Sequence, residues 1–153
     1  MSCRKASGGF CFYFMVFWLI GILGAVQPLH GQCSTFARGV VKPELAPFLH
    51  DGNLNATILA EGERIVLQKT VFDGLKYRIV VMGVPDLPSP RFKLKDGSGD
   101  ILFDNIEYDY ASKWDFDVQT TQNLFVEITV PEDDDPSADT GGCVAVLFGI
   151  ERE

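Results

Sequence analysis

Few side chains in this chain have the types and spacing that catalysis requires. His50 stands beside Asp51, and no Gly-x-Ser-x-Gly nucleophile motif occurs anywhere in the chain. Serine or cysteine hydrolysis would therefore have to rely on this one pair, and a histidine in a turn is the simpler interpretation. A pair of glycosidase-type carboxylates is compatible with the many acidic residues, but an acidic surface explains them equally well. We predict no enzyme and no cofactor, with a small envelope hydrolase as the last alternative.

Carboxylates in one acidic loop are the best candidates for binding a hard cation, because calcium prefers oxygen ligands. Such a run of acids is usually just solvated, so calcium is an alternative rather than the main prediction. The candidate ligands are Asp133, Asp134, Asp135 and Asp139. A second pattern, Asp96-x-Ser98-x-Asp100, imitates a calcium loop but has Ile101 where the loop needs glycine. That pattern is more typical of a hairpin turn.

Aromatic side chains form a third candidate site. Tyr108, Tyr110 and Trp114 lie close together in the sequence, beside Asp109 and Asp115. On a β-sandwich, exposed aromatic rings can stack on sugars while neighbouring carboxylates accept hydrogen bonds from hydroxyl groups. Trp114 alternates in phase with the apolar positions of its strand, which favours a place in the core. We keep glycan binding as an alternative function, with the two tyrosines as the free platform.

Cysteine usage predicts one disulfide. Cys3 and Cys11 would be removed with an N-terminal signal, and Cys33 and Cys143 then remain as an even pair in an oxidising compartment. A bridge between them would close a loop of about 110 residues and contribute roughly 4 to 5 kcal/mol on the loop-entropy model. The alternatives are a lipidated Cys33 with an unpaired Cys143, or two free thiols. A metal site is not expected, since these two cysteines and His50, the single histidine left after signal removal, lack the ligand spacing.

Residues 1–32 have the layout of a secretory signal peptide. Arg4 and Lys5 form a basic start, an uncharged apolar run follows over residues 10–26, and a small Gly31 precedes the expected cleavage point. The apolar run is long for a signal and short for a transmembrane span, so an uncleaved anchor is the alternative. We expect residues 33–153 to form a single exported domain, in the periplasm or at the cell surface, with no membrane insertion after cleavage.

The charge balance narrows the choice of partners. The chain has 13 basic and 21 acidic residues, and every acidic residue lies beyond residue 32. Loss of Arg4 and Lys5 with the signal makes the mature domain still more acidic. A protein with this net charge is repelled by nucleic acid and by anionic membrane surfaces. We therefore expect neither as a partner.

Short runs of alternating apolar and polar residues predict β-strands, because side chains on a strand point to opposite faces in turn. Such runs occur at residues 91–95, 113–118 and 124–130, whereas residues 142–150 are almost continuously apolar. The alternating runs indicate antiparallel sheets with one wet face, and the continuous run indicates a central strand buried on both faces. We predict an all-β fold, an antiparallel β-sandwich or jelly roll, preceded by a short irregular or helical segment at residues 34–49.

Turn residues between neighbouring runs predict three hairpins. Asp73-Gly74 supplies the positive φ values of a two-residue turn, and polar or glycine-rich segments separate the other two pairs. The predicted hairpins join residues 64–72 with 75–82, 91–95 with 101–103, and 114–118 with 124–130.

Several segments resemble a set of uncharacterised exported proteins of Bacteroidetes-type bacteria, over most of residues 33–150. The segments are Glu61–Glu63, Lys69–Phe72, Tyr77–Val80, Leu102–Asn105, Trp114–Phe116 and Gly142–Leu147. The order of strands and turns between residues 63 and 130 also resembles pre-peptidase C-terminal and GOLD-type β-sandwich modules. Those modules are non-catalytic, which implies binding rather than turnover, and no functional residue is carried over from either set.

The sequence and this resemblance together predict a non-catalytic binding or structural module of the bacterial envelope. Its partner would be an envelope protein or a glycan, met through loops or a sheet edge.

Overall fold

The computed structural model describes residues 30–132 and 141–151. The described chain is mostly β-strand, with short helical segments, as the sequence predicts. Helix α1 spans His30–Phe36 and continues into a π-helical turn (Ala37–Val41) and a 3-10 turn (Lys42–Leu45), and a further 3-10 turn spans Asn105–Tyr108. The strands are β1 (Leu49–His50), β2 (Asn55–Leu59), β3 (Arg64–Val71), β4 (Lys76–Gly83), β5 (Arg91–Lys95), β6 (Ile101–Asp104), β7 (Lys113–Asp117), β8 (Gln122–Thr129) and β9 (Gly142–Ile150).

The strands form two antiparallel sheets. Sheet A has the order β1-β9-β4-β7, and β2 pairs with β9 beside β1. Sheet B has the order β3-β8-β5-β6. The sheets pack face to face, and their inner side chains form the main core, as in other β-sandwiches.

Alternation along the strands explains which side chains enter this core. In β8, Leu124, Val126 and Ile128 are buried, and the residues between them lie on the outer face of sheet B. In β9 both faces are buried, because one row of side chains packs between the sheets and the other packs under a helical layer. The predicted central strand is therefore confirmed.

The helical segment forms a third layer over the outer face of sheet A. The side chains of Ala37, Val41 and Leu45 are buried, and they pack against apolar side chains of β4 and β9. Gly149 permits the close approach, since a Cβ atom at this position would lie 2.7 Å from Phe48 Cβ. The outer face of sheet A is thereby covered, whereas the outer face of sheet B has no such layer among the described residues.

Only one of the three predicted hairpins is correct. Strands β5 and β6 pair across the turn at residues 96–100, with Leu94 opposite Phe103. The other two predictions are wrong, because β3 and β8 belong to sheet B whereas β4 and β7 belong to sheet A. The turn at Asp73-Gly74 is present, with Gly74 at a φ of 73°, but it carries the chain from one sheet to the other. Val71 and Tyr77 on either side of this turn both enter the core between the sheets.

Over the described ranges, no helix has the length and apolar character needed to cross a membrane. The predicted signal peptide lies almost wholly outside these ranges and stays a prediction.

Candidate binding surface

The two predicted cysteines are joined in a disulfide. Cys33 is buried in α1 and Cys143 lies at the start of β9, with their Cα atoms 5.1 Å apart. The bond fastens the helical layer to the central strand of sheet A. In this structure Cys143 is therefore not a free thiol, and Cys33 is not available for a lipid.

The predicted calcium ligands Asp133, Asp134, Asp135 and Asp139 lie outside the described residues, so calcium binding there stays a prediction. Among the residues that the structure does describe, no group of three or more His, Cys, Asp or Glu side chains could hold a metal ion. The calcium-like pattern at Asp96 is a hairpin turn, as expected. One carboxylate oxygen of Asp96 accepts hydrogen bonds from the backbone N–H groups of Ser98 (2.8 Å) and Asp100 (3.0 Å).

His50 and Asp51, the two residues on which a hydrolase would have to rely, make structural contacts. Nε2 of His50 lies 3.1 Å from the carbonyl oxygen of Asn53, and Nδ1 accepts a hydrogen bond from the Gly52 N–H group. The Asp51 carboxylate accepts a hydrogen bond from the Lys69 ammonium group of β3. Burial raises the pKa of Asp51, but the hydrogen bonds from Lys69 and Asn53 outweigh it, so the pKa is lowered.

The three aromatic residues of the predicted glycan site have different surroundings. Trp114 stacks with Phe103 (ring centroids 4.5 Å apart) and with Phe116 (4.8 Å), so its indole belongs to a row of stacked rings, and it is half-buried against the core. Tyr108 stacks on Phe103 and is 59% exposed, and Tyr110 is 37% exposed. The two tyrosines therefore remain the more exposed part of the candidate platform, and glycan binding there stays a prediction.

Both tyrosines lie on a loop that a buried side chain holds in place. We call residues 105–111 the tyrosine loop. Asn105 is only 1% exposed, and its Oδ1 atom accepts a hydrogen bond from the Phe92 N–H group (2.9 Å). Its Nδ2 atom donates to the carbonyl oxygens of Pro90 (3.0 Å) and Ala111 (3.2 Å). One amide side chain thus ties both ends of the loop to the start of β5.

The backbone of the tyrosine loop is strained at two successive residues. Asp109 and Tyr110 have φ values of 54° and 53°, in the left-handed region that non-glycine residues rarely adopt. Each such residue costs on the order of 1 kcal/mol, and outliers of this kind cluster at functional sites. A hydrogen bond from the Tyr110 N–H group to the Asn105 carbonyl oxygen (2.9 Å) helps to hold this conformation. The loop therefore keeps its two tyrosines in a fixed, exposed arrangement.

Beside the tyrosine loop, the outer face of sheet B carries four basic side chains. Arg91, Lys93 and Lys95 alternate with buried core residues of β5, so all three point outward. Arg64 on β3 points to the same side, as its contact with Glu127 shows. We call these four residues the basic face. This concentration of positive charge stands out because the chain as a whole has a formal net charge of −8.

Two carboxylates hold part of the basic face rigid. Arg91 donates two hydrogen bonds to Asp104, at 3.1 and 2.5 Å, and Lys95 donates one to Glu127 at 2.8 Å. The hydrogen bonds from Arg91 and from Lys95 hold the pKa values of Asp104 and Glu127, respectively, below their usual ranges. Both carboxylates are therefore negatively charged at neutral pH and offset only part of the positive charge around them.

The tyrosine loop and the basic face are one continuous surface. Asp104, which holds Arg91, also accepts a hydrogen bond from the Ile106 N–H group (3.3 Å) and so caps the turn that begins the loop. The hydrogen bond with Asp104 is the main cause of the raised pKa of Arg91, and Tyr110 adds a smaller electrostatic effect. Asp104 therefore joins an arginine of the face to the start of the tyrosine loop.

A shallow cavity of about 590 Å³ lies within this surface. We call it the hollow. It is lined by Gly62, Arg64, Arg91, Lys93, Glu127 and Thr129. The sequence alone does not predict the hollow, because its walls come mainly from β3, β5 and β8, and no local pattern indicates which strands lie side by side.

No protein-family model matches the chain, and no curated protein matches it. Among solved structures, the chain is similar to Aeromonas hydrophila PliG, a periplasmic lysozyme inhibitor of g-type lysozyme. The match has 8% identity and a TM-score of 0.48, and it covers 69% of this chain and 89% of that one. A de novo designed double-stranded β-helix matches with 14% identity and a TM-score of 0.33, covering 65% of this chain and 99% of that one. Because both TM-scores lie below 0.5, neither match indicates a function for this chain.

Proposed function

We propose that this chain is an exported, non-catalytic binding module that recognises an anionic partner of the cell envelope. The binding surface would be the basic face together with the tyrosine loop. The observation that carries the proposal is the gathering of four cationic side chains on one exposed sheet face of a strongly acidic protein.

Solubility alone does not account for this arrangement. A soluble surface needs charges of both signs interspersed, whereas this face places Arg91, Lys93 and Lys95 in one row along β5. Neighbouring cations repel each other, and the carboxylates of Asp104 and Glu127, on the strands either side of β5, offset only part of that repulsion. A locally positive face attracts an anionic partner even when the net charge of the protein is negative, because charges beyond about 10 Å are largely screened at 0.1 M salt.

The side-chain types also suit binding. Tyrosine and arginine are enriched among the residues that contribute most to protein interfaces, because they combine large contact areas with directed hydrogen bonds. Here Tyr108 and Tyr110 stand on a loop that Asn105 fixes, and Asp104 fixes Arg91. Groups that are already ordered lose less conformational entropy when a partner binds.

The proposal can be tested with two soluble polyanions, polygalacturonate and polyglutamate, attached to beads. At low salt we expect at least one of them to retain the protein, and we expect salt to elute it. The double variant Arg64→Gln/Lys93→Gln should pass through, since it removes two cations of the basic face.

The matched control is Lys76→Gln/Lys113→Gln, which makes the same change in net charge on sheet A. Lys76 and Lys113 are surface residues that pair with Glu151 and Glu44, away from the basic face. This variant should be retained like the unchanged protein. If neither polymer retains the protein, or if both double variants lose retention equally, the basic face is not the binding surface.

A further inference from the structure

We infer that the hollow binds a carboxylated sugar of the uronic acid type. This inference rests on the proposed function and names the chemistry of its ligand. The hollow offers separate groups for a carboxylate and for hydroxyl groups, and that combination distinguishes an acidic sugar from other anions.

Two of the four cations, Arg64 and Lys93, commit none of their hydrogen-bond donors within the described part of the chain. Arg64 lies 3.8 Å from Glu127 and Lys93 lies 3.9 Å from Asp104, distances too long for hydrogen bonds. Within residues 30–132 and 141–151, neither side chain donates a hydrogen bond, whereas Arg91 and Lys95 both do. Arg91 and Lys95 are therefore held by carboxylates of the protein, whereas Arg64 and Lys93 are available to a ligand. Both of these cations line the hollow.

A carboxylate is the ligand group that matches these donors. The Arg64 guanidinium group presents its N–H groups in a planar fork that fits the two oxygens of a carboxylate, and Lys93 adds a point charge from the other side of β8. Both cations line one cavity, so a single ligand unit could contact both of them.

Glu127 and Thr129 explain why the ligand should also carry hydroxyl groups. The Oε2 atom of Glu127 accepts the hydrogen bond from Lys95, and in the described part of the chain Oε1 accepts none. The Thr129 hydroxyl group, in the lining of the hollow, also has no hydrogen-bond partner among the described residues. Sugar hydroxyls donate and accept, so they satisfy both groups. A peptide of acidic residues would offer carboxylates to the cations but no hydroxyl groups to Glu127 and Thr129.

The size and position of the hollow suit a saccharide. Its volume of about 590 Å³ lies within the range of small-molecule sites, which is about 300 to 1,000 Å³. It opens on a sheet surface, so a polymer can continue past it on either side. At one side Asp104 joins Arg91 to the tyrosine loop, whose exposed residues a longer saccharide could reach.

The test compares three soluble oligomers of equal length, namely an oligogalacturonate, an oligoglutamate and a neutral galacto-oligosaccharide, by titration calorimetry. We expect the uronate to bind at least about tenfold more tightly than the glutamate, and the neutral sugar to bind most weakly. Arg64→Gln and Lys93→Gln should each weaken uronate binding about tenfold, which is the usual effect of losing one charge-assisted hydrogen bond.

Glu127→Gln gives the sharpest result, because it should narrow the preference for the uronate over the glutamate. Loss of the negative charge and release of Lys95 favour both anionic ligands. The substitution also weakens an acceptor that only the sugar hydroxyls use, so the ratio of the uronate affinity to the glutamate affinity should fall. Glu151→Gln on sheet A removes one carboxylate elsewhere and should change neither affinity. Thermal unfolding of each variant shows whether it is folded.

Each outcome has a separate meaning. Equal or tighter binding of the glutamate oligomer would overturn the sugar inference and leave the proposed anionic partner in place, now as an acidic protein segment. Equal binding of the neutral sugar would overturn the role of the carboxylate. If neither anionic oligomer binds, both the inference and the proposed function fail.

Discussion

Asn105 links the core of the sandwich to the exposed tyrosines. Its side chain makes three hydrogen bonds to backbone groups, and nearly all of it is removed from solvent. A buried amide in this position stabilises the fold mainly because it supplies hydrogen-bond partners to buried backbone groups. Leaving one such group unpaired costs about 1 to 3 kcal/mol. The residue was not a candidate in the sequence analysis, because an isolated asparagine after a short strand has no distinguishing pattern.

We expect Asn105→Ala to lower the free energy of unfolding by about 3 kcal/mol, because the Phe92 N–H group and two carbonyl oxygens lose their partner. Urea denaturation measures this change. The tyrosine loop should also lose its fixed conformation, which tyrosine fluorescence or NMR line widths would detect.

The control for this prediction is Asn123→Ala. Asn123 is exposed, and among the described residues its side chain hydrogen-bonds only the Thr70 hydroxyl, so loss of this side chain should cost about 0.5 kcal/mol or less. Equal effects of the two substitutions would show that the Asn105 hydrogen bonds do not hold the loop.

At the scale of the elements, β3 is an edge strand with an unusual inner face. Among residues 30–132 and 141–151 it pairs only with β8, and its inward side chains are Ile65, Leu67, Lys69 and Val71. A lysine pointing between the sheets is one of the devices by which edge strands avoid pairing with other chains. The Lys69 ammonium group donates a hydrogen bond to Asp51 and lies 5.4 Å from the centre of the Phe148 ring.

We expect Lys69→Leu to destabilise the protein by about 2 kcal/mol, because the Asp51 side chain is only 4% exposed and would lose its cation. Adding Asp51→Asn should recover much of this loss, since no buried charge then remains. Both variants should self-associate through β3, now that the inner face of the edge is apolar throughout. Urea denaturation and sedimentation velocity measure the two effects.

Gln68→Leu is the matched control, because it adds a leucine to the same strand on the outer face and leaves Lys69 in place. It should remain monomeric if the unchanged protein is monomeric. Self-association of Gln68→Leu to the same extent would mean that apolar surface alone, and not the loss of the inward charge, causes the association.

At the scale of the whole molecule, the disulfide joins the first described helix to the last strand. Cys33 and Cys143 are separated by 110 positions, so the bond restricts almost the entire unfolded domain. It also anchors the helical layer that covers Val80, Ala145 and Leu147 on the outer face of sheet A.

We expect the Cys33→Ser/Cys143→Ser variant to be less stable by up to about 4 to 5 kcal/mol on the loop-entropy model, and by less if the native bond is strained. The measurement is urea denaturation of the exported protein with and without reductant, together with its intact mass. Reductant should add two hydrogens and lower the urea midpoint of the unchanged protein, but leave the double variant unaffected. Equal midpoints with and without reductant, or a lipid adduct on Cys33, would contradict the prediction.

Part of this structure could be predicted from short-range patterns alone. Alternation has a period of two along a strand and depends only on which face is buried, so β5, β7 and β8 were placed correctly within a few residues. The continuous apolar run of β9 indicated a strand buried on both faces, as observed. The cysteine count left one pair, and that pair forms the bond.

The tertiary structure alone decided which strands are neighbours. A turn such as Asp73-Gly74 fits a hairpin and a crossing between sheets equally well, and only the packing of side chains across the core selects between them. The same selection brings Arg64 of β3 onto one face with Arg91 and Lys93 of β5, with β8 between them. The candidate binding surface is therefore a product of long-range pairing, which no local pattern in the sequence encodes.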